Sequence, residues 1–142
     1  MNSKFNLLFC IVAILIFALG CRPKKTDYSE FNQFYEKFLQ DSLFQIQHIN
    51  FPMEGIPDNA VAYRGDSLQN FRWTAENWRM HRPIDFEKTK FVQNFQTLGD
   101  ELIIENIIDP TSGYGMLRRW AKIGGEWSLI YYVGLNPVQE KQ

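Results

Sequence analysis

Gly124-Gly125 stands between two long alternating runs, residues 114–123 and 126–135, and no other feature narrows the possible folds as much. Two glycines accept the positive φ angles of a two-residue hairpin turn, so the pair marks the tip of a β-ribbon. The turn also sets a register. Counting outward, Ile123 faces Glu126, Lys122 faces Trp127, Trp120 faces Leu129, Arg118 faces Tyr131 and Met116 faces Val133. Side chains alternate along a strand, so one face carries Met116, Arg118, Trp120, Trp127, Leu129, Tyr131 and Val133. The other carries Leu117, Arg119, Ala121, Ser128, Ile130 and Tyr132. The first face is richer in aromatics and is expected to pack inward.

Upstream, residues 91–96 and 101–108 are strand-like, and Asp109-Pro110-Thr111-Ser112-Gly113 is a turn signal. Near the start, Tyr28, Phe31, Phe34, Tyr35, Phe38 and Leu39 recur at helical spacing, which predicts an amphipathic helix with an aromatic packing face. Asp27 with Glu30 reads as its capping box, and Asp41-Ser42 as the start of a second short helix with Gln45 reciprocal to Ser42. From Ile46 the pattern turns extended until Pro52. Residues 53–69 read as loop with a short strand at 60–64. Phe71 to Trp73 reads as a strand end, and Thr74 as the cap of a helical turn through Trp78 and Met80 that His81-Arg82-Pro83 breaks. Helices followed by a run of strands predict an α+β domain, with N-terminal helices packed on a curved antiparallel sheet.

The first twenty residues have another design. Lys4 supplies a positive start, residues 5–19 are apolar apart from Asn6, and small residues lead up to Cys21. Such a run falls short of the roughly 20 residues that span a bilayer, and it suits a removable signal peptide. Ala18-Leu19-Gly20-Cys21 resembles the lipobox of bacterial lipoproteins, with Ala18 where that motif usually has Leu. The resemblance implies lipidation of Cys21 and cleavage just before it. Each buried methylene contributes about 0.8 kcal/mol, so several acyl chains hold a protein to a membrane where one does not. The expected layout is a signal peptide at 1–20, lipidated Cys21 and tether at 21–26, a single domain at 27–136 and a tail at 137–142.

Cleavage removes 20 of the 142 residues and leaves 122, enough to bury a core without staples. Cys10 departs with the leader and Cys21 carries lipid, so disulfides, cysteine-based zinc sites and thiol catalysis are excluded within a monomer. Of the 15 basic residues Lys4 is lost, leaving 14 against 16 acidic, a net charge of −2. There is no basic field for nucleic acid. Locally, Arg22, Lys24 and Lys25 lie beside the lipid, where they either meet anionic headgroups or form a solvated linker. Nineteen of the 22 aromatic residues remain, wide side chains that suit a tapered interior between helices and a curved sheet.

Phe34-Tyr35-Glu36-Lys37-Phe38, Asp41-Ser42-Leu43-Phe44-Gln45 and Ile49-Asn50-Phe51-Pro52, with a closing Gly125-Glu126-Trp127, resemble a family of Bacteroidetes lipoproteins. The family is known as a domain of unknown function with a nuclear transport factor 2-like fold. His48 departs from it, standing where a basic residue, usually Arg, is expected. The resemblance implies a cone-shaped fold and an envelope compartment, and it transfers no reaction. By the sorting logic of such lipoproteins, Arg22 in place of Asp, and no acidic cluster at 22–26, imply the outer membrane, facing the periplasm.

Signals for catalysis are weak. Arg118 beside Tyr131, among Trp120, Trp127 and Met116, is the one polar pair that the register places on the inward face. It either receives a polar or anionic ligand group or forms a structural cation–π contact or ion pair. His48 and His81 have no second ligand at metal spacing, so no metal is expected, and no cofactor motif occurs. His81, in Arg79-Met80-His81-Arg82, reads as a solvated basic corner, and Glu101 and Glu105 as solvent-facing. Two functions fit. One is a non-catalytic binding or accessory lipoprotein for a small amphipathic ligand or an envelope protein. The other is a small pocket enzyme of lyase or isomerase type using Arg118 or Tyr131.

Overall fold

The computed structural model describes residues 28–63 and 68–138. Helix α1 (Ser29–Gln40) buries Phe31, Phe38 and Leu39, so the aromatic stripe is its packing face. The capping box does not organise its start. Tyr28 is the N-cap and offers no side-chain cap, Asp27 lies outside the described residues, and Glu30 instead accepts from Lys122 Nζ at 2.7 Å. Asp41 Oδ1 accepts from the N–H groups of Leu43 and Phe44, each at 3.0 Å, and so caps α2 (Ser42–Gln47). Gln45, expected to complete that cap, is wholly buried instead.

Six strands follow: β1 (Ile49–Ile56), β2 (Arg72–Trp73), β3 (Val92–Thr97), β4 (Leu102–Asp109), β5 (Tyr114–Ile123) and β6 (Glu126–Pro137). They form one sheet in the order β2-β1-β6-β5-β4-β3. The expectation of an antiparallel sheet is corrected at one ladder, because β1 runs parallel to β6. A hairpin forces neighbours to be antiparallel, but β1 is remote in sequence from β6 and no short turn dictates its direction. Nor does Pro52 end the strand. It sits in the gap between the Ile49–Leu129 and Glu54–Tyr131 pairs, where the ladder shifts and an N–H can be spared. Residues 60–62 form a 3-10 helix rather than a strand, and the stretch after Thr74 is a turn closed by Trp78 N–H to Thr74 O at 3.0 Å. No helix among the described residues is long and apolar enough to cross a membrane.

The hairpin turn is where the glycines place it, with φ of 61° at Gly124 and 91° at Gly125. Ile123–Glu126, Lys122–Trp127 and Trp120–Leu129 pair as the register predicts. Beyond Leu129 the register slips by one. Arg119 pairs with Tyr131, Arg118 with Tyr132, and Leu117 with Val133. Ile130 is thus an extra residue on β6, a β-bulge that exchanges the faces of the residues after it up to a second shift between Val133 and Asn136. Tyr132 and Gly134 become buried, while Tyr131 and Val133 are only partly so.

Bulge, β1 and β2 meet at Gly55, which pairs with Tyr132. Trp73 Nε1 donates to Tyr132 O at 3.1 Å, and a Cβ on Gly55 would lie 2.0 Å from that oxygen and 2.7 Å from that nitrogen. The substitution Gly55→Ala should therefore lower stability by about 2–4 kcal/mol. A urea midpoint unchanged from the parent protein would contradict this packing.

Candidate functional site

Of the residues expected to line a pocket, Arg118, Trp120 and Trp127 lie in the packed centre instead. Trp120 is wholly buried, ringed by Phe31, Phe34, Tyr35 and Phe38 of α1 at centroid distances of 5.9, 5.8, 5.7 and 4.9 Å. Trp127 packs edge-on to Phe31 at 5.1 Å, and Met116 is half-buried against the same core. Tyr131 is carried to the opposite face by the bulge, where the Arg119 guanidinium lies 4.4 Å over its ring. The cation–π contact considered for Arg118 is made by its neighbour.

Arg118 takes the other structural alternative. It is an ion pair with Glu105, directly across the β4–β5 ladder. The expectation that Glu105 faces solvent is overturned, since it is 0% exposed. Glu105 Oε1 accepts from Tyr35 Oη at 2.6 Å, Gln93 Nε2 at 2.7 Å and Arg118 Nη1 at 3.2 Å. Its Oε2 accepts from Trp120 Nε1 at 3.1 Å. Burial opposes the charge on Arg118, but Glu105, Tyr35 and Tyr132 together outweigh it and the guanidinium titrates above its ordinary value. Burial likewise drives the Tyr35 phenol upward, against the pull of Arg118, so it stays a donor. The signal was present in the sequence: Glu105 alternates with Ile103 and Ile107 on the apolar side of its strand. Glu105→Leu, which strands a buried cation, should cost about 3–5 kcal/mol, and adding Arg118→Met should recover most of it. Urea unfolding of single and double variants checks this, and a double variant no better than the first would refute it.

An open cavity of about 390 Å³ lies beyond Tyr132, lined by Phe71, Trp73, Trp78, Tyr132, His81 and residues around Asp58 and Arg79. Its aromatic wall is tight. Ring centroids are 5.6 Å apart for Trp73–Trp78, 5.3 Å for Trp73–Tyr132, 5.5 Å for Trp78–Tyr132 and 4.6 Å for His81–Tyr132. Both indole N–H groups are spent elsewhere. Trp73 donates to Tyr132 O, and Trp78 donates to Gln45 Oε1 at 3.0 Å.

Gln45 is the residue that holds this wall in place. Its Oε1 also accepts from His81 N–H at 2.8 Å, and its Nε2 donates to Phe38 O at 2.7 Å and His81 O at 3.0 Å. A buried amide with all these partners ties α1, α2 and the 78–81 segment together. His81 is therefore no solvated corner. Its Nδ1 is buried without a partner, and burial, helped by the Arg118 charge, lowers its pKa to about 2. Burial also raises the Tyr132 phenol to about 12, with Arg118 pulling the other way.

A histidine neutral when folded but able to protonate when unfolded makes stability fall on acidification. The loss begins near pH 6.5, its ordinary pKa, at up to about 1.4 kcal/mol per pH unit, or about 2 kcal/mol by pH 5. His81→Phe keeps a ring and lacks the titration, so its stability should be nearly flat between pH 7 and 5. Urea unfolding across that range tests this, and parallel slopes for the two proteins would refute it.

A family model whose own description reads only "-like" matches residues 29–106, more than half of the 142 residues. The chain belongs to that family. Among solved structures, a cystatin-like protein from Bacteroides caccae superposes with a TM-score of 0.53 at 16% identity, over 73% of this chain and 74% of that one. A nuclear transport factor 2-like protein from Bacteroides fragilis gives 0.52 at 15% identity, over 79% of this chain and 50% of that one. This chain thus spans half the length of the second protein. The fold is nuclear transport factor 2-like, as the resemblance implied. No curated protein matches the chain in sequence.

Proposed function

We propose that the chain is a lipid-anchored envelope protein whose domain holds a small amphipathic ligand in the aromatic cavity, without catalysis. The cavity wall carries the binding half of this reading. Trp73, Trp78, His81 and Tyr132 line it, and the two indole N–H groups donate within the protein. Such a wall rewards a flat apolar body, and polar groups around Asp58 and Arg79 suit a wet end. A volume of about 390 Å³ falls at the small end of the roughly 300–1,000 Å³ range of ligand sites. The anchoring half rests on the residues leading to Cys21, which lie outside the described ones, and on the lipobox they resemble.

The lyase or isomerase alternative needs a poised base. Glu105 does not line the cavity, and both its oxygens are taken by the core. His81, with a pKa of about 2, is a poor base at neutral pH. Binding is the better reading.

For the cavity, a thermal-shift screen of the domain from Pro23 onward should find a ring-bearing amphipathic compound that adds about 2.7 kcal/mol at 100 times its dissociation constant. Tyr63→Ala at the cavity should reduce that gain, while Leu43→Ala, an exposed apolar residue elsewhere, should not. Equal effects would argue against this cavity. For the anchor, fatty-acid label should enter the parent protein and not Cys21→Ala.

A further inference from the structure

Among the described residues, the charged groups lining the cavity are Asp58 and Arg79. Asp58 is held to the sheet: its Oδ1 accepts from Leu135 N–H at 2.6 Å, and it crowds Gly134, where an added Cβ would touch it. Asn77 is committed as well, accepting from Thr74 N–H at 2.8 Å and donating to Arg72 O at 3.0 Å. Arg79 also lines the cavity, is exposed, and enters none of the ion pairs among the described residues. Among the described lining residues, Arg79 is thus a cation without an ion-pair partner, while the Asp58 carboxylate is held by a backbone N–H.

From this we infer that the ligand is an aromatic or fused-ring carboxylate, its rings against Trp73, Trp78 and Tyr132 and its carboxylate on the Arg79 guanidinium. This rests on the binding reading above. A planar guanidinium matches a carboxylate through two parallel N–H donors, which a single point charge cannot do. His81 and Tyr132 do not oppose the arrangement, since neither carries charge near neutral pH. A long polymer does not fit inside about 390 Å³, so the preferred form is a free small acid.

Isothermal titration with 2-naphthoate and its uncharged counterpart 2-naphthamide tests the assignment on the domain from Pro23 onward. The acid should bind about tenfold more tightly than the amide at low salt, and the ratio should shrink as salt screens the exposed pair. Arg79→Gln should bring the two ligands to similar affinity. Equal affinities for the parent protein would overturn the carboxylate assignment and leave the cavity reading standing. A preference that survives Arg79→Gln would overturn the role of Arg79. Heat from neither ligand would overturn both readings.

Discussion

A carboxylate and a guanidinium share the middle of the sheet, and much of the interior is arranged to keep them there. Glu105 and Arg118 face each other across β4 and β5, and removing either charge from water would be costly without the other. The partners that complete the shell come from distant places. Tyr35 arrives from α1, Gln93 from β3, and Trp120 from β5 itself. Each presents an aromatic or aliphatic body to the core and a single polar atom to the pair. Helix and sheet are thereby brought into one register, since sliding α1 along the sheet would withdraw the Tyr35 hydroxyl from a buried carboxylate.

Aromatic rings fill much of the space around this pair. Trp120 alone meets four rings of α1. The open volume is displaced toward β1 and β2, where a two-residue strand and the turn after it form the wall. That wall has few backbone ladder bonds of its own, and Gln45 compensates by tying it to both helices. The likeness to structures of low identity extends to this architecture and stops at the fold.

Local chemistry was legible wherever neighbours in sequence decide the outcome. The Gly124-Gly125 turn, the first pairs of the hairpin and the aromatic face of α1 all follow from patterns a few residues long. Ile103, Glu105 and Ile107 share an inward face by simple alternation, and that periodicity could have marked Glu105 as buried. A lone acid in an apolar row was read as an exposed end because its compensating partner, Arg118, lies on another strand.

The sequence by itself determined an α+β chain with a hairpin close and an aromatic helix. Tertiary structure alone decided which tyrosine enters the interior. One additional residue at Ile130 reverses inside and outside for the stretch of β6 up to the next shift, beyond Val133, and no local propensity announces it, because a bulge answers to the partner strands on both sides. It likewise turned His81 from an apparent basic corner into part of a cavity wall, since the bonds that draw it in come from Gln45, 36 residues away. Periodicity is a property of a segment. Burial belongs to the whole assembly of segments, and the candidate site is built almost wholly from contacts of the second kind.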